Sequence, residues 1–262
     1  MFGIIEGFWR GFWAPLQALK MIVTSPRLLS LVAVPLAVNI GIYLLFFHYA
    51  AHYLDDGIAA WGVRMAQAVP HWLLSVSVFA LKILSWLALA LVAALTFTFV
   101  SGLIAAPFND ALSKAAMRLR LKETGAHFAV PEVRHPISTT VWLELKRISI
   151  LVVGALVALI LGLIPLLQLP ALALGALIVS FEYFGYPISH RSSSLTPVAY
   201  FTVRHPAVSL GFGSFLLLIM ALPFTSLVYI PLAVVGGTML YADLAAKTPS
   251  AMTVAADKRK RT

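Results

Sequence analysis

The sequence has 262 residues, of which 61% are hydrophobic and only 11% are charged, and its mean hydropathy is +0.93. A soluble chain of this length would carry about a quarter charged residues, so the composition excludes an ordinary soluble domain and predicts a membrane protein. The net charge is +9, and the absence of cysteine excludes disulfides, thiolate metal sites and cysteine nucleophiles.

The N-terminal stretch predicts an amphipathic helix at the membrane interface. Phe8, Phe12 and Leu16 recur at helical spacing beside Trp9 and Trp13, and aromatic side chains favour the interfacial region. Charged residues and a proline interrupt the apolar run, and no small-residue cleavage site follows it, which disfavours a signal peptide.

Two long spans follow. Residues 28–50 carry no formal charge and are long enough to cross the hydrocarbon core. Residues 72–106 form an apolar run too long for one perpendicular crossing, so this second span is tilted or extends beyond the bilayer. Lys82 lies near its start, where its side chain either snorkels to the interface or lines a wet cavity.

Beyond Pro107 the chain becomes amphipathic. Lys114, Arg118 and Lys122 recur every four residues, which predicts one basic stripe on a helix that leaves the membrane and faces anionic lipid headgroups. Gly125 is predicted to end this helix.

Two later apolar regions are interrupted by proline and predict helical hairpins that dip into the membrane and return. They cover residues 148–181, with Pro165 and Pro170, and residues 207–242, with Pro223 and Pro231. Each half has about 15 to 18 residues, which is short for a full crossing, and proline forces a bend by removing a helical hydrogen bond. Gly211 and Gly213 follow no strand, so close helix packing explains them better than nucleotide binding.

The two hairpin regions share a spacing of landmarks that predicts a weak internal repeat. The landmarks are Pro170, Gly175 and Glu182 in the first region and Pro231, Gly236 and Asp243 in the second. If the repeat holds, Arg147 pairs with Glu182 and Arg204 pairs with Asp243 at the open end of each hairpin.

The distribution of positive charge predicts the topology. With both hairpins returning to the side they left, all lysines and arginines except Arg64 and Lys82 lie on one face, which the positive-inside rule makes cytoplasmic. We therefore predict a multi-pass membrane protein with both termini in the cytoplasm. Residues 1–248 form one membrane domain, and residues 249–262 form a flexible basic tail that serves as a topology signal rather than as a nucleic-acid patch.

No catalytic apparatus is predicted. His48 and His52 have the spacing of a metal-binding pair but lack an accompanying glutamate base, so interfacial histidines are favoured over a metal site. The sequence contains no Walker loop and no G-x-S-x-G motif. We predict that the protein is not an enzyme and that it needs no cofactor and no metal.

The remaining chemistry is the handling of anions, which requires arginine, lysine or the N-termini of helices. Pro26 and Arg27 lie where the interfacial helix meets the first span. Pro107, Phe108 and Asn109 lie where the second span was predicted to break and a new helix to begin. Arg147 and Arg204 are further candidates for the same path. Taken singly, each residue is better explained without an anion, Arg27 as an interfacial anchor and Asn109 as a helix cap.

Several stretches together resemble the CysZ sulfate-permease family, within the broader etoposide-induced-protein superfamily. The resemblance covers about residues 8–244, and the segments AAPFN and IPLAVVGGT are its most specific parts. It implies uptake of sulfate into the bacterial cytoplasm for cysteine synthesis, through two long spanning helices and two pairs of shorter ones. It also implies paired arginines before the first span, in a motif of the form P-G-[IL]-R-R. Here Arg27 holds the glycine position, while Leu29 and Ser30 hold the arginine positions.

Two hypotheses follow. The first is a permease or channel for sulfate or a related small oxyanion, expected to form a homo-oligomer. The second is a non-transporting membrane protein of the same superfamily that binds anionic lipid or partner proteins through the basic stripe. An integral-membrane enzyme ranks behind both, and nucleic acid is not an expected partner.

Overall fold

The described part of the chain is built from helices. The computed structural model describes residues 2–125, 137–192, 194–222 and 225–246, and within these ranges every secondary-structure element is a helix, which confirms the predicted all-α class. The predicted tail, residues 249–262, lies outside these ranges. The helices are α1 (Phe2–Thr24), α2 (Pro26–Met65), α3 (His71–Thr124), α4 (Ile137–Gly162), α5 (Gln168–Ser189), α6 (Thr196–Arg204), α7 (Pro206–Met220) and α8 (Ser226–Ala246).

The chain separates into two compact units. We call Met1–Val32 together with Asn109–Thr262 the core unit, and Ala33–Phe108 the hairpin unit. The assignment of residues 1–248 to one membrane domain stays a prediction.

The hairpin unit contains the larger parts of the two longest helices. α2 has 40 residues and α3 has 54, so both are longer than the predicted spans, because the polar stretch after His48 continues the helix to Met65. Lys82 is exposed, with its Nζ 3.7 Å from a carboxylate oxygen of Asp55. Most large apolar side chains in this unit are also exposed, as suits helices surrounded by lipid.

Among the described residues, five helical segments are long and apolar enough to cross a membrane, or six if the bent pair α6 and α7 forms one span. The five lie in α2, in the first part of α3, in α4, across Pro165–Ser189, and in α8. α6 and α7 meet at an angle of 98°. These findings support a multi-pass membrane protein.

The breaks between helices follow the predicted prolines only in part. Pro165 begins a one-turn 3₁₀ helix between α4 and α5, and Pro170 lies in the first turn of α5, where its missing N–H costs nothing. Pro231, however, lies inside α8, so the prediction of a break there is wrong. The helices are interrupted instead between α7 and α8. Pro223 lies outside the described residues. α4, α5 and α8 have 26, 22 and 21 residues. They are therefore longer than the half-hairpins that the sequence predicts.

Glycines allow the helices of the core unit to approach closely. α1 packs against α7 and α8, and α5 packs against α4, α7 and α8. A Cβ on Gly211 would overlap the backbone carbonyl of Phe8, and one on Gly213 would overlap that of Ala176, which confirms the predicted close packing. Gly125 follows α3 with a φ of 65°, so it ends that helix as predicted.

Candidate functional site

The first basic group of the predicted site stands at the start of α2. α1 ends at Thr24 and α2 begins at Pro26, the position that proline favours. Leu28 is completely buried, with 0% exposure, whereas Arg27 is exposed. The hydroxyl of Ser30 donates a hydrogen bond to the Arg27 carbonyl at 2.9 Å. Burial of Leu28 thus fixes the first turn and leaves the Arg27 guanidinium accessible near the positive end of the helix dipole.

The predicted break at Pro107 is wrong. Residues 71–124 are all described as one helix with Pro107 inside it, so no new helix N-terminus forms there. Long apolar helices tolerate an internal proline when local adjustment satisfies the freed backbone groups. Pro107 and Phe108 belong to the hairpin unit, while Asn109 is a buried polar residue of the core unit, with 8% exposure.

Arg147 on α4 lies against α5 and meets the residue predicted for it. Its guanidinium donates to the backbone carbonyl of Glu182 and lies 5.1 Å from the ring centroid of Tyr186. A Cβ on Gly185 would come within 2.9 Å of an Arg147 nitrogen. The glycine therefore leaves the space in which the guanidinium is held.

The second predicted pair does not form. Arg204, exposed at the end of α6, donates to the hydroxyl of Tyr200 at 2.5 Å and lies 5.6 Å from the centre of that ring. Asp243 is bound by other arginines. The internal repeat therefore fails at this position, because Tyr200, one turn earlier on α6, is a closer partner for Arg204 than any residue of α8.

Two arginines distant in sequence converge on Asp243 instead. The Arg120 Nε donates to one carboxylate oxygen at 2.8 Å and an Arg120 Nη donates to the other at 3.0 Å. Arg10 donates to that second oxygen at 2.9 Å. The hydrogen bond to Asp243 is the main reason why the pKa of Arg120 is raised above its ordinary value. We call Arg10, Arg120 and Asp243 the Asp243 cluster.

Sequence reasoning missed this cluster. Arg120 is two residues from Arg118 and so does not follow the spacing of the basic stripe, and Arg10 is one of the charged residues that interrupt the apolar run of the N-terminal helix. The available signal was Asp243 itself, an acidic residue at the end of an apolar segment, where a basic partner is expected.

The residues of the basic stripe lie on the part of α3 that belongs to the core unit. The opposite face of this helix is buried, where Ser113 and Thr238 share a hydrogen bond of 2.9 Å. Lys114 pairs with Asp110 at 2.8 Å, and Arg118 and Lys122 are exposed. The amphipathic arrangement agrees with the prediction, while binding of anionic lipid stays a prediction.

The histidine pair predicted as a weak metal candidate lies in the hairpin unit. His48 and His52 have ring centroids 4.8 Å apart, and both are exposed. Among the described residues, no group of three or more His, Cys, Asp or Glu could hold a metal ion.

Comparison with known proteins decides the family. The family described as "Sulfate transporter CysZ/Etoposide-induced protein 2.4" matches residues 14–231, which is most of the chain. The chain belongs to this family. The predicted resemblance is thereby confirmed.

Curated relatives cover a similar extent of the chain. A Pseudomonas paraeruginosa protein named sulfate transporter CysZ is 26% identical over 230 residues, or 86% of this chain and 91% of that protein. Proteins of the same name from Pseudomonas fluorescens and Pectobacterium atrosepticum are 27% and 26% identical, covering 86% and 85% of this chain and 90% and 81% of their own lengths.

The family match includes some basic groups and leaves others out. Arg27, Arg147 and Arg204 lie within the matched residues of the CysZ/etoposide-induced protein family, whereas Arg10 and Asp243 lie outside them. Leu29, which holds one of the positions at which the resemblance implies arginine, is 45% exposed. Arg27 is therefore the one basic residue in this turn of α2.

Proposed function

We propose that this protein is an inner-membrane permease or channel for sulfate or a related small oxyanion, and that it supplies sulfate for cysteine synthesis. The observation that carries the proposal is membership of a family named for a sulfate transporter, over residues 14–231. Relatives that carry the name sulfate transporter CysZ over nearly their whole length support it. We also propose that the protein is not an enzyme, that both of its termini are cytoplasmic, and that it forms a homo-oligomer.

Arg27 is the group to which we assign direct contact with the anion. It combines a permanent positive charge with the start of a 40-residue helix, and both favour a negative ligand. Its exposure leaves the guanidinium open to a hydrated ion, and the buried Leu28 keeps this turn in place. One arginine near a helix start binds weakly enough for the ion to leave again, which conduction requires.

Three more residues of the core unit complete the proposed path. Asn109 offers amide N–H groups in a buried position, and Arg147 and Arg204 add positive potential. A backbone carbonyl and an aromatic ring hold the Arg147 guanidinium in place. No helix begins at Pro107 or Phe108, so we do not include these two residues in the proposed path.

Uptake of radiolabelled sulfate into proteoliposomes tests the proposal. We expect uptake above that of empty vesicles, and a decrease of about tenfold in Arg27→Ala, the size expected for a lost charge-assisted hydrogen bond. Arg64→Ala is the matched control, since it removes an exposed arginine near the other end of the same helix and should leave uptake unchanged. No uptake by the wild-type protein, or equal losses in both variants, would contradict the proposal.

A non-transporting lipid-binding protein is the second candidate. The exposed Arg118 and Lys122 on α3 favour it. It predicts retention of anionic lipid without solute flux, so the same vesicles separate the two candidates.

A further inference from the structure

The Asp243 cluster has the geometry of an occupied oxyanion site. Arg120 binds the carboxylate side-on through two nitrogens, at 2.8 and 3.0 Å, and Arg10 adds a third donor at 2.9 Å from another helix. Guanidinium groups bind carboxylates and tetrahedral oxyanions in this same bidentate manner, because the spacing of two oxygens is similar in both. Asp243 thus stands where one edge of a tetrahedral oxyanion would bind.

The cluster is only partly buried, and its two arginines share the carboxylate at its centre. The side chains of Arg10, Arg120 and Asp243 are 30%, 24% and 14% exposed. Two guanidinium groups face a single carboxylate. Glu123 is a further acidic neighbour, 3.1 Å from another nitrogen of Arg120, but it is 54% exposed, so solvent screens its charge.

We propose that Arg10 and Arg120 form an oxyanion-binding site in which Asp243 is a built-in competitor. The ligand is a tetrahedral dianion of the sulfate class, and this identity rests on the proposed function. When the anion arrives, it takes the guanidinium donors and Asp243 is released; when the carboxylate returns, the anion leaves. A tethered competitor therefore keeps binding weak enough for release.

The predicted topology assigns this site to the cytoplasmic side. The N-terminal stretch and the segment from Lys114 to Arg147 lie on the side that positive charge marks as cytoplasmic. Arg10 and Arg120 belong to those segments, and Asp243 lies close to the C-terminal end of α8. The site is placed where imported sulfate would be discharged.

Isothermal titration of purified protein with sodium sulfate, against sodium chloride at matched ionic strength, tests the proposal. Asp243→Asn keeps the shape of the side chain and removes its charge, so sulfate should bind on the order of tenfold more tightly than to the wild-type protein. Glu123→Gln is the matched control, because it removes one negative charge beside Arg120 without freeing the donors that hold Asp243. We expect little change in Glu123→Gln. Adding Arg120→Gln to Asp243→Asn should abolish the gain.

Three results would overturn the proposal: no gain in Asp243→Asn, an equal gain in Glu123→Gln, or a gain that survives Arg120→Gln. Stability gives a second readout, since sulfate should raise the thermal midpoint of Asp243→Asn more than chloride does.

Asp243→Ser is a second variant that removes the carboxylate, for use if Asp243→Asn does not fold. If neither variant folds in sulfate or in chloride, the carboxylate is structural and the proposal also fails. Absence of sulfate flux in the wild-type protein would contradict the proposed function and leave the binding result standing.

Discussion

At the residue scale, the close approach of helices in the core unit depends on glycine, which has no side chain. Gly211 on α7 lies against the Phe8 carbonyl of α1, where a Cβ would overlap the carbonyl oxygen. This contact is between two backbones, so no flexible side chain can move aside. Gly57 on α2 is different, because nothing lies within 4 Å of the position of its Cβ.

Substitution of these two glycines should therefore have opposite effects on stability. Gly211→Ala forces α1 and α7 apart, and we expect a loss of about 1–3 kcal/mol. Gly57→Ala meets no neighbour and improves helix propensity by about 0.5–1 kcal/mol. Thermal unfolding in detergent, followed by tryptophan fluorescence, measures both. A Gly211→Ala protein as stable as the wild type would contradict the close packing of α1 on α7.

The partners of charged residues show which contacts could be predicted from the sequence and which could not. Contact between Arg147 and Glu182 was predictable because both belong to one hairpin. Asp243 was assigned the wrong arginine, since its true partners lie 233 and 123 residues away. A local spacing pattern carries no information about which helices pack together over that distance.

At the element scale, α1 exposes its tryptophans and buries small residues together with larger apolar ones. Ala14, Ala18, Met21 and Ile22 are buried in the core, and Phe12 packs against it, whereas Trp9 and Trp13 are exposed. The helix was correctly predicted because its apolar residues have helical spacing. Its buried face could not be predicted, because small residues give a weak hydrophobic signal, although they permit the closest approach between helices.

The basic stripe on α3 makes a separate prediction about lipid. Replacing Lys114, Arg118 and Lys122 by glutamine should weaken binding of anionic phospholipid by about tenfold or more, since each basic residue near a membrane surface contributes about 1 kcal/mol. Native mass spectrometry of bound lipid at low and high salt measures the effect, and salt should reduce it in the wild-type protein.

A matched triple variant controls for net charge. It replaces three basic residues outside the stripe, namely Lys20, Arg64 and Lys82. If this variant loses as much anionic lipid as the stripe variant, binding depends on total charge and the stripe has no special role.

Helix boundaries were predictable where the residue itself ends or begins a helix. Pro26 begins α2, and Gly125 follows the end of α3 with a positive φ. Pro107 and Pro231 misled the prediction, because both lie inside continuous helices. A proline removes one hydrogen bond in every context, but the length of apolar helix on either side decides whether the helix continues.

At the scale of the whole molecule, the chain is a membrane protein whose basic groups are predicted to collect at one aqueous boundary. Five segments suitable for crossing a membrane, found in the part of the chain that the structure describes, and membership of a transporter family agree with a membrane protein. The side on which each terminus lies rests on the distribution of lysine and arginine alone.

Labelling of single cysteines in intact cells tests this arrangement directly, and the chain offers a clean background because it contains no cysteine. The three variants are Gly3→Cys, Asp56→Cys and Ser250→Cys, each first checked for sulfate uptake. With a membrane-impermeant maleimide, we expect labelling of Asp56→Cys from outside the inner membrane, and of Gly3→Cys and Ser250→Cys only after the membrane is opened. Labelling of Gly3→Cys and Ser250→Cys from opposite sides would contradict the account.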